Sequence, residues 1–211
     1  WTAWASLPDS KTVNTSAAFR DLFITVKADA AHQHGKGGEH SHAGTAFTTW
    51  LDFNQAQQQA ASVHRALARL LPAHSEMLAN NFAALQRDLV SLDADLRGIA
   101  ADLGDTPLLG SHPVYQYLAR GYGLNIRSVH WEPDAMPDAA GWAQLTALRK
   151  THPAKMMLWE AAPNETIVAK LKARGIRSVV FAPCANRPGS TDWLAMMRAN
   201  VAALRLAAGI D

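Results

Sequence analysis

After Gly104 the chain alternates short apolar runs with segments of helical periodicity, and this alternation is the feature that most restricts the fold. Strands separated by helices of ten to fifteen residues are typical of a parallel sheet covered by helices. We therefore predict an α/β fold with a parallel βα sheet. The predicted strands are "TPLLG" (106–110), "IRSVHW" (126–131), "AKMMLWE" (154–160) and "SVVFAP" (178–183). The predicted helices are "VYQYLARGYGL" (114–124), "AAGWAQLTALRKT" (139–151), "NETIVAKLKARG" (164–175) and a segment from 190 to about 208.

A long helical span precedes this sheet. Apolar residues fall at helical spacing from Asn54 to Leu71 and again, after Pro72, from Leu78 to Leu103. Steps of three and four residues place such side chains on one face of a helix, and Gly104 is a suitable stop signal. The pattern predicts a backbone helix with one continuous buried stripe, leading into the α/β lobe.

Composition narrows the functional class. The 211 residues are 48% apolar, and 20 basic residues balance 18 acidic ones without clustering, which indicates a globular protein with no nucleic-acid or membrane face. The single Cys184 excludes an internal disulfide and a Cys-rich zinc motif. Neither a His-Glu-x-x-His pair nor a Gly-x-Ser-x-Gly elbow occurs, and Ser111 and His112 are adjacent in sequence, so we do not expect an enzyme.

A histidine-rich tract, "HQHGKGGEHSHAGTAFTTWLDF" (32–53), lies upstream of the helical span. Imidazole is a good ligand for zinc, copper and nickel, and the glycines let a loop bring several rings to one ion. A solvated linker or a purification artefact would show the same composition. The candidate ligands of the tract are His32, His34, His40 and His42.

Further candidate ligands follow the predicted strands, because a parallel sheet presents its functional edge at the carboxyl ends of its strands. His112 follows the first strand and Glu160 ends the third. Both residue types can bind a cation, although a histidine can also close a loop and a carboxylate can also bond helix amides. Cys184, after the fourth strand, is either a soft ligand or a small apolar filler.

Three segments carry a resemblance to a known family. "SHPVYQYLARGYGL" (111–124) is similar to "SH-x-A-F-x-Y-F-A-x-R-Y-G-L" of the zinc and manganese substrate-binding proteins of bacterial ABC importers. "AFTTWLDF" (46–53) is similar to that family's "D-P-H-x-W-L-D-P", and "MRANVAALRLA" (197–207) resembles its "M-x-x-N-L-x-x-L". The resemblance implies metal capture or delivery in the periplasm, after removal of any signal peptide. It implies zinc as the metal, with manganese or another divalent transition metal as the alternative, and an ABC permease as a partner.

The same resemblance suggests how the chain is divided. Trp1 to Leu7 resembles the family's "L-E-x-W-L" segment near the end of the N-terminal lobe, which implies that most of that lobe is absent. We expect a remnant of it over 1–53, containing the His-rich loop (31–45), then the linking helix over 54–104 and a C-terminal α/β lobe over 105–211. A lobe without its usual cover is expected to associate with a partner protein or as a homo-oligomer.

The resemblance also indicates which ligands this chain keeps. Family members hold the ion with three histidines and a carboxylate. His112 matches one of these positions, whereas Thr48 stands where the family has a histidine and Ala182 where it has an aspartate. The remaining donors are then the four loop histidines, on which we expect binding mainly to depend, with His112 and with Glu160 or His130. The alternative is a degenerate protein-interaction module without metal.

Overall fold

The computed structural model describes residues 8, 11–26, 44–185 and 191–210, together with the backbone of 32–33 and 39–40. Its N-terminal part is made of short elements. Two antiparallel pairs of two-residue strands form here, and the outer pair, Thr25–Val26 with Gly44–Thr45, closes the base of the His-rich loop. The elements are a 3₁₀ helix Ala17–Leu22, β1 Thr25–Val26, β2 His32–Gln33, β3 Glu39–His40, β4 Gly44–Thr45 and a 3₁₀ helix Thr49–Leu51.

The helical span consists of two helices that fold back on each other. These are α1, Phe53–Leu70, and α2, Ser75–Leu103, joined by the 3₁₀ turn Pro72–His74. The carboxylate of Asp52 caps α1 by accepting the backbone N–H groups of Asn54 and Gln55. The region predicted as one linking helix over 54–104 is therefore a helical hairpin, because Pro72 ends the first helix rather than bending it.

The apolar stripe on α2 is buried over only half of its predicted length. Leu89, Leu92, Leu96, Ile99 and Leu103 are buried, as predicted. The upstream members of the stripe are only partly covered, and no residue of α2 before Leu89 is buried. The last helix of the chain packs along the second half of α2, where its arginines pair with Asp88 and Asp95, whereas Phe82 in the first half stacks on His64 of α1.

The C-terminal half confirms the α/β prediction. Each predicted strand and helix is present, although the strands are shorter than the apolar runs from which they were predicted. The "VYQYLARGYGL" helix ends before Gly123, whose φ of 67° is the left-handed conformation that glycine adopts readily. The elements are β5 Leu108–Gly110, α3 Gln116–Tyr122, β6 Ile126–Ser128, α4 Ala139–Thr151, β7 Met156–Trp159, α5 Glu165–Lys172, β8 Arg177–Val180 and α6 Trp193–Ala208.

The four strands form one parallel sheet in the order β6–β5–β7–β8. Alternate residues of the central strands enter two separate apolar clusters: Leu108 and Leu158 belong to one, and Leu109 and Trp159 to the other. The sheet is thus covered on both faces, as expected for parallel strands. Among the described residues, no helix combines the length and apolarity needed to span a bilayer.

Candidate metal site

Three potential ligands meet at the carboxyl-terminal edge of the sheet. His112 lies in the turn after β5, Glu132 in the loop after β6, and Glu160 directly after β7. These strands are neighbours in the order β6–β5–β7, so their ends bring the three side chains to the same place. One ligand atom from each residue lies within 4.8 Å of the other two.

The histidine is the most enclosed member of this cluster. His112 is 6% exposed, and its Nδ1 lies 3.6 Å from Oε1 of Glu132. The ring of His130 stands edge-on to that of His112, with 5.9 Å between centroids. Glu132 and Glu160 are partly exposed. The site is therefore closed on the histidine side and open to solvent on the carboxylate side, which gives an ion a way in.

The carboxyl group of Glu160 is held in an environment that disfavours its negative charge. Burial raises the pKa of Glu160 above its usual value, and the nearby charge of Glu132 raises this pKa further. Burial likewise raises the pKa of Tyr115, with a smaller contribution from the charge of Glu160. A divalent cation between the carboxylates would remove this repulsion, so the electrostatics of the cluster favour cation binding.

Backbone hydrogen bonds tie together the loops that carry the ligands. Ser111 donates its N–H to Leu158 at 2.8 Å, and Trp131 donates to the carbonyl of Ser111 at 2.7 Å. Asn164, the residue that caps α5, donates to Pro133 at 2.8 Å. The three loops are thus cross-linked close to each ligand, which fixes the relative positions of the side chains.

Of the predicted ligands, the structure brings together His112 and Glu160, with His130 beside them. The cluster also contains Glu132, which the sequence analysis missed. The apolar run "IRSVHW" suggested a strand through Trp131, but β6 ends at Ser128, so Val129 to Glu132 already lies in the edge loop. Applying the strand-end rule to the second strand, as to the first and third, would have found Glu132.

Thr48 and Ala182, at the positions where the resemblance expects a histidine and an aspartate, both make hydrogen bonds within the fold. Thr48 is buried and donates its hydroxyl to the carbonyl of Val114 at 2.6 Å. Asn200 holds the backbone of Ala182, accepting from its N–H and donating to its carbonyl. Cys184 is not part of the cluster, and burial raises the pKa of its thiol, which favours the uncharged form over the thiolate that binds metal.

Of the loop histidines, the structure describes the backbone of His32 and His40. The pairing of β2 with β3 sets the backbone of His32 opposite that of His40. The side chains of these two histidines lie outside the described residues, as do His34 and His42 entirely. The base of the loop is fixed by the β1–β4 pair and by the N–H of Ile24, which donates to the hydroxyl of Tyr117 at 3.1 Å.

The sequence matches a family model over nearly the whole chain. The family ZnuA, described as "Zinc-uptake complex component A periplasmic", matches residues 5–207. The chain therefore belongs to this family of transport components, and the resemblance seen in the sequence is confirmed. No observation on the described residues favours the alternative of an interaction module without metal.

Individual relatives support the same assignment. The chain is 27% identical over 189 residues to the zinc-binding protein AdcA of Streptococcus pyogenes, covering 85% of this chain and 36% of that protein. It thus spans about a third of the length of that relative.

Solved structures share the fold. The Zn(II)-bound ZnuA-like domain of Streptococcus pneumoniae AdcA matches with a TM-score of 0.69 at 22% identity, over 77% of this chain and 63% of that one. The metal-dependent lipoprotein YcdH of Bacillus subtilis matches with a TM-score of 0.72 at 20% identity, over 95% of this chain and 74% of that one. At these identities the structures establish the fold alone.

Proposed function

We propose that the chain binds zinc as transport cargo through His112, Glu132 and Glu160. The observation that carries the proposal is the convergence of one imidazole and two carboxylates within 4.8 Å at the ligand-binding edge of the sheet. Membership of a zinc-uptake family supports zinc as the metal. The protein then acts in metal capture or delivery in the periplasm, and an ABC permease receives the ion.

The donor set fits a transport site in its chemistry. Zinc accepts both imidazole nitrogen and carboxylate oxygen, and a fourth position can be filled by water or by another side chain. His130, whose ring stands next to that of His112, is the first candidate for that position. Carboxylates are also good ligands for manganese, so manganese is the metal to test against zinc.

The loop histidines are proposed as additional donors. The loop is anchored next to the segment that contains Thr48, and that residue bonds to the turn carrying His112. His32, His34, His40 and His42 can therefore collect zinc near the cluster, while the cluster supplies the main site. Glycine has more backbone freedom to lose than other residues, so forming a site in this glycine-rich tract costs more conformational entropy.

Direct titration tests the proposal. Untagged protein is stripped of metal and titrated with zinc, then with manganese, against a competing chelator. We expect one tight zinc equivalent for the parent. His112→Ala, Glu132→Gln and Glu160→Gln should each weaken it by at least about tenfold, the loss seen even for outer residues of metal sites.

Glu165→Gln is the matched control. Glu165 is an acidic residue in the first turn of α5, in the same lobe, but it is not part of the cluster. Its neutralisation changes the net charge by the same amount as either glutamate variant and should leave zinc binding unchanged. Parental affinity in all three cluster variants would show that the metal is held elsewhere.

A further inference from the structure

Thr48 is a buried residue at the position where the family resemblance expects a histidine ligand. Its side chain is 1% exposed, and its hydroxyl donates to the carbonyl of Val114 at 2.6 Å, across 66 positions of sequence. Thr48 precedes the 3₁₀ helix Thr49–Leu51 but makes no side-chain cap to it. The Thr48 hydroxyl therefore links two segments that are distant in sequence and does not stabilise its own turn.

The acceptor belongs to the turn that carries His112. The N–H of Val114 donates back to the carbonyl of His112 at 2.9 Å, so the residues from His112 to Val114 form one tight turn. Before the histidine, the turn is fixed by the bond from Ser111 to Leu158 on the neighbouring strand. After it, the bond from Thr48 holds the turn. The ligand thus lies between two anchors.

The segment containing Thr48 is itself held firmly and independently. Trp50 donates its indole N–H to the carbonyl of Pro183 at 2.7 Å, and the N–H of Phe53 donates to the hydroxyl of Tyr122 at 3.1 Å. Removing the Thr48 hydroxyl leaves both of these bonds in place. The loss of this hydrogen bond should therefore change the conformation of the His112 turn and leave the 47–53 segment in place.

From this geometry we infer that Thr48 is a positioning residue for the ligand His112. The inference rests on the proposed function, since it assigns His112 to the metal. At a position where the family resemblance expects a donor, this chain has an anchor that orders a remaining ligand. A hydrogen bond to the backbone beside a ligand limits the motion of its ring and so raises affinity without contact to the ion.

The test compares Thr48→Val with Thr48→Ser in the full chain. Valine has nearly the shape of threonine but no donor, whereas serine keeps the hydroxyl. Thr48→Val should lower zinc affinity by about tenfold, the smaller loss typical of residues that support a ligand, and Thr48→Ser should stay within about twofold of the parent. Thr48→Ala, which needs no extra space, should reproduce the loss seen with valine.

A second measurement reads the position of the ring without metal. In NMR spectra of metal-free protein, the imidazole signals of His112, assigned with His112→Gln, should shift in Thr48→Val and not in Thr48→Ser. The signals of His152 should not move, because its ring bonds the carbonyl of Leu108 at the opposite end of β5, at 2.7 Å. Ser62→Ala is the control for removing a buried hydroxyl that bonds a backbone carbonyl elsewhere, here that of Gln58.

The outcomes are separable. Parental zinc affinity in Thr48→Val, or an equal loss in Thr48→Ser or Ser62→Ala, would overturn the positioning role. If the parent itself does not bind zinc, the proposed function fails, and the metal-free spectra decide the inference alone. Unmoved His112 signals in Thr48→Val would then overturn it, and shifted signals would support it.

Discussion

Trp131 and Trp159 lie next to each other behind the candidate metal site, with 6.3 Å between their ring centroids. Each immediately precedes a carboxylate of the cluster, Glu132 and Glu160 respectively. Both indoles are almost completely buried, at 4% and 0% exposure. The two carboxylates therefore follow two buried indoles that pack on each other and link the loop after β6 to the end of β7.

This arrangement predicts an optical signal for metal binding. Zinc bound between the carboxylates places a double positive charge close to both indoles, so tryptophan emission should change and saturate at one equivalent. Replacing both Trp131 and Trp159 with phenylalanine should remove most of that change. Trp193→Phe, a substitution at a tryptophan packed against the other apolar cluster, should leave it intact. An unchanged signal in the double variant would place the metal away from the sheet edge.

The loop and the cluster can be separated by counting zinc equivalents. Replacing His32, His34, His40 and His42 together by alanine should remove weak additional zinc binding and leave one tight equivalent at the cluster. His112→Ala should have the opposite effect, with the tight equivalent lost and the weak binding retained. Isothermal titration of both variants measures this difference. Loss of all binding in the quadruple variant alone would restore the loop as the main site, as the sequence first suggested.

The sequence was a good guide to the C-terminal lobe, for a physical reason. Each strand there is a short apolar run, and helices with their own caps and stops separate the strands, so local pattern and tertiary structure agree. The helical hairpin was less predictable. A regular leucine spacing shows that α2 has an apolar face, but it does not show that only the half from Leu89 onward meets α6 and becomes buried.

The candidate site was predictable in part. His112 and Glu160 were found because they stand at the ends of strands, which is a sequence property once the strands are known. Glu132 follows the second apolar run in the same way and was open to the same rule, although β6 itself ends at Ser128. The bond from Thr48 to Val114 could not be foreseen, since it joins residues 66 positions apart and depends on how the 47–53 segment packs.

A side chain at Gly110, the last residue of β5, should destabilise the protein. A Cβ at this position would lie 2.6 Å from Oγ of Ser128 and 3.2 Å from the carbonyl oxygen of His112. Gly110→Ala should therefore cost about 1–3 kcal/mol in the free energy of unfolding, as overpacking does, and should weaken zinc binding by disturbing the His112 turn.

Gly98 on α2 provides the matched control for this substitution. Its Cβ would have no heavy atom within 4 Å, so Gly98→Ala should stabilise the protein by about 0.5–1 kcal/mol through helix propensity. Urea titration measures both effects on the free energy of unfolding. Equal stability of the Gly110 variant and the parent would mean that the carboxyl end of β5 is less tightly packed than the structure indicates.

Tyr122 connects three elements through its hydroxyl. The oxygen accepts the N–H of Phe53 at the start of α1 and donates to Oδ1 of Asp93 on α2 at 2.8 Å. Asp93 in turn accepts two bonds from Arg97, whose guanidinium lies over the Tyr122 ring. Burial raises the pKa of Tyr122 well above its ordinary value; the bond to Asp93 adds to this rise, and the N–H of Phe53 partly opposes it.

This raised pKa predicts a loss of stability in alkali. An unfolded tyrosine releases its proton near pH 10, whereas the folded phenol keeps it, so the unfolded state binds fewer protons and becomes more favourable relative to the folded state as the pH rises. The stabilisation is complete below about pH 10 and declines above it. Phenylalanine at position 122 cannot titrate, so the stability advantage of the parent over Tyr122→Phe should shrink by about 1.4 kcal/mol between about pH 9 and about pH 11.

Tyr115→Phe should show the same trend, because burial also raises the pKa of Tyr115. Urea titrations at the two pH values measure the difference directly, and an advantage of constant size would show that Tyr122 ionises as readily in the folded protein as in the unfolded chain.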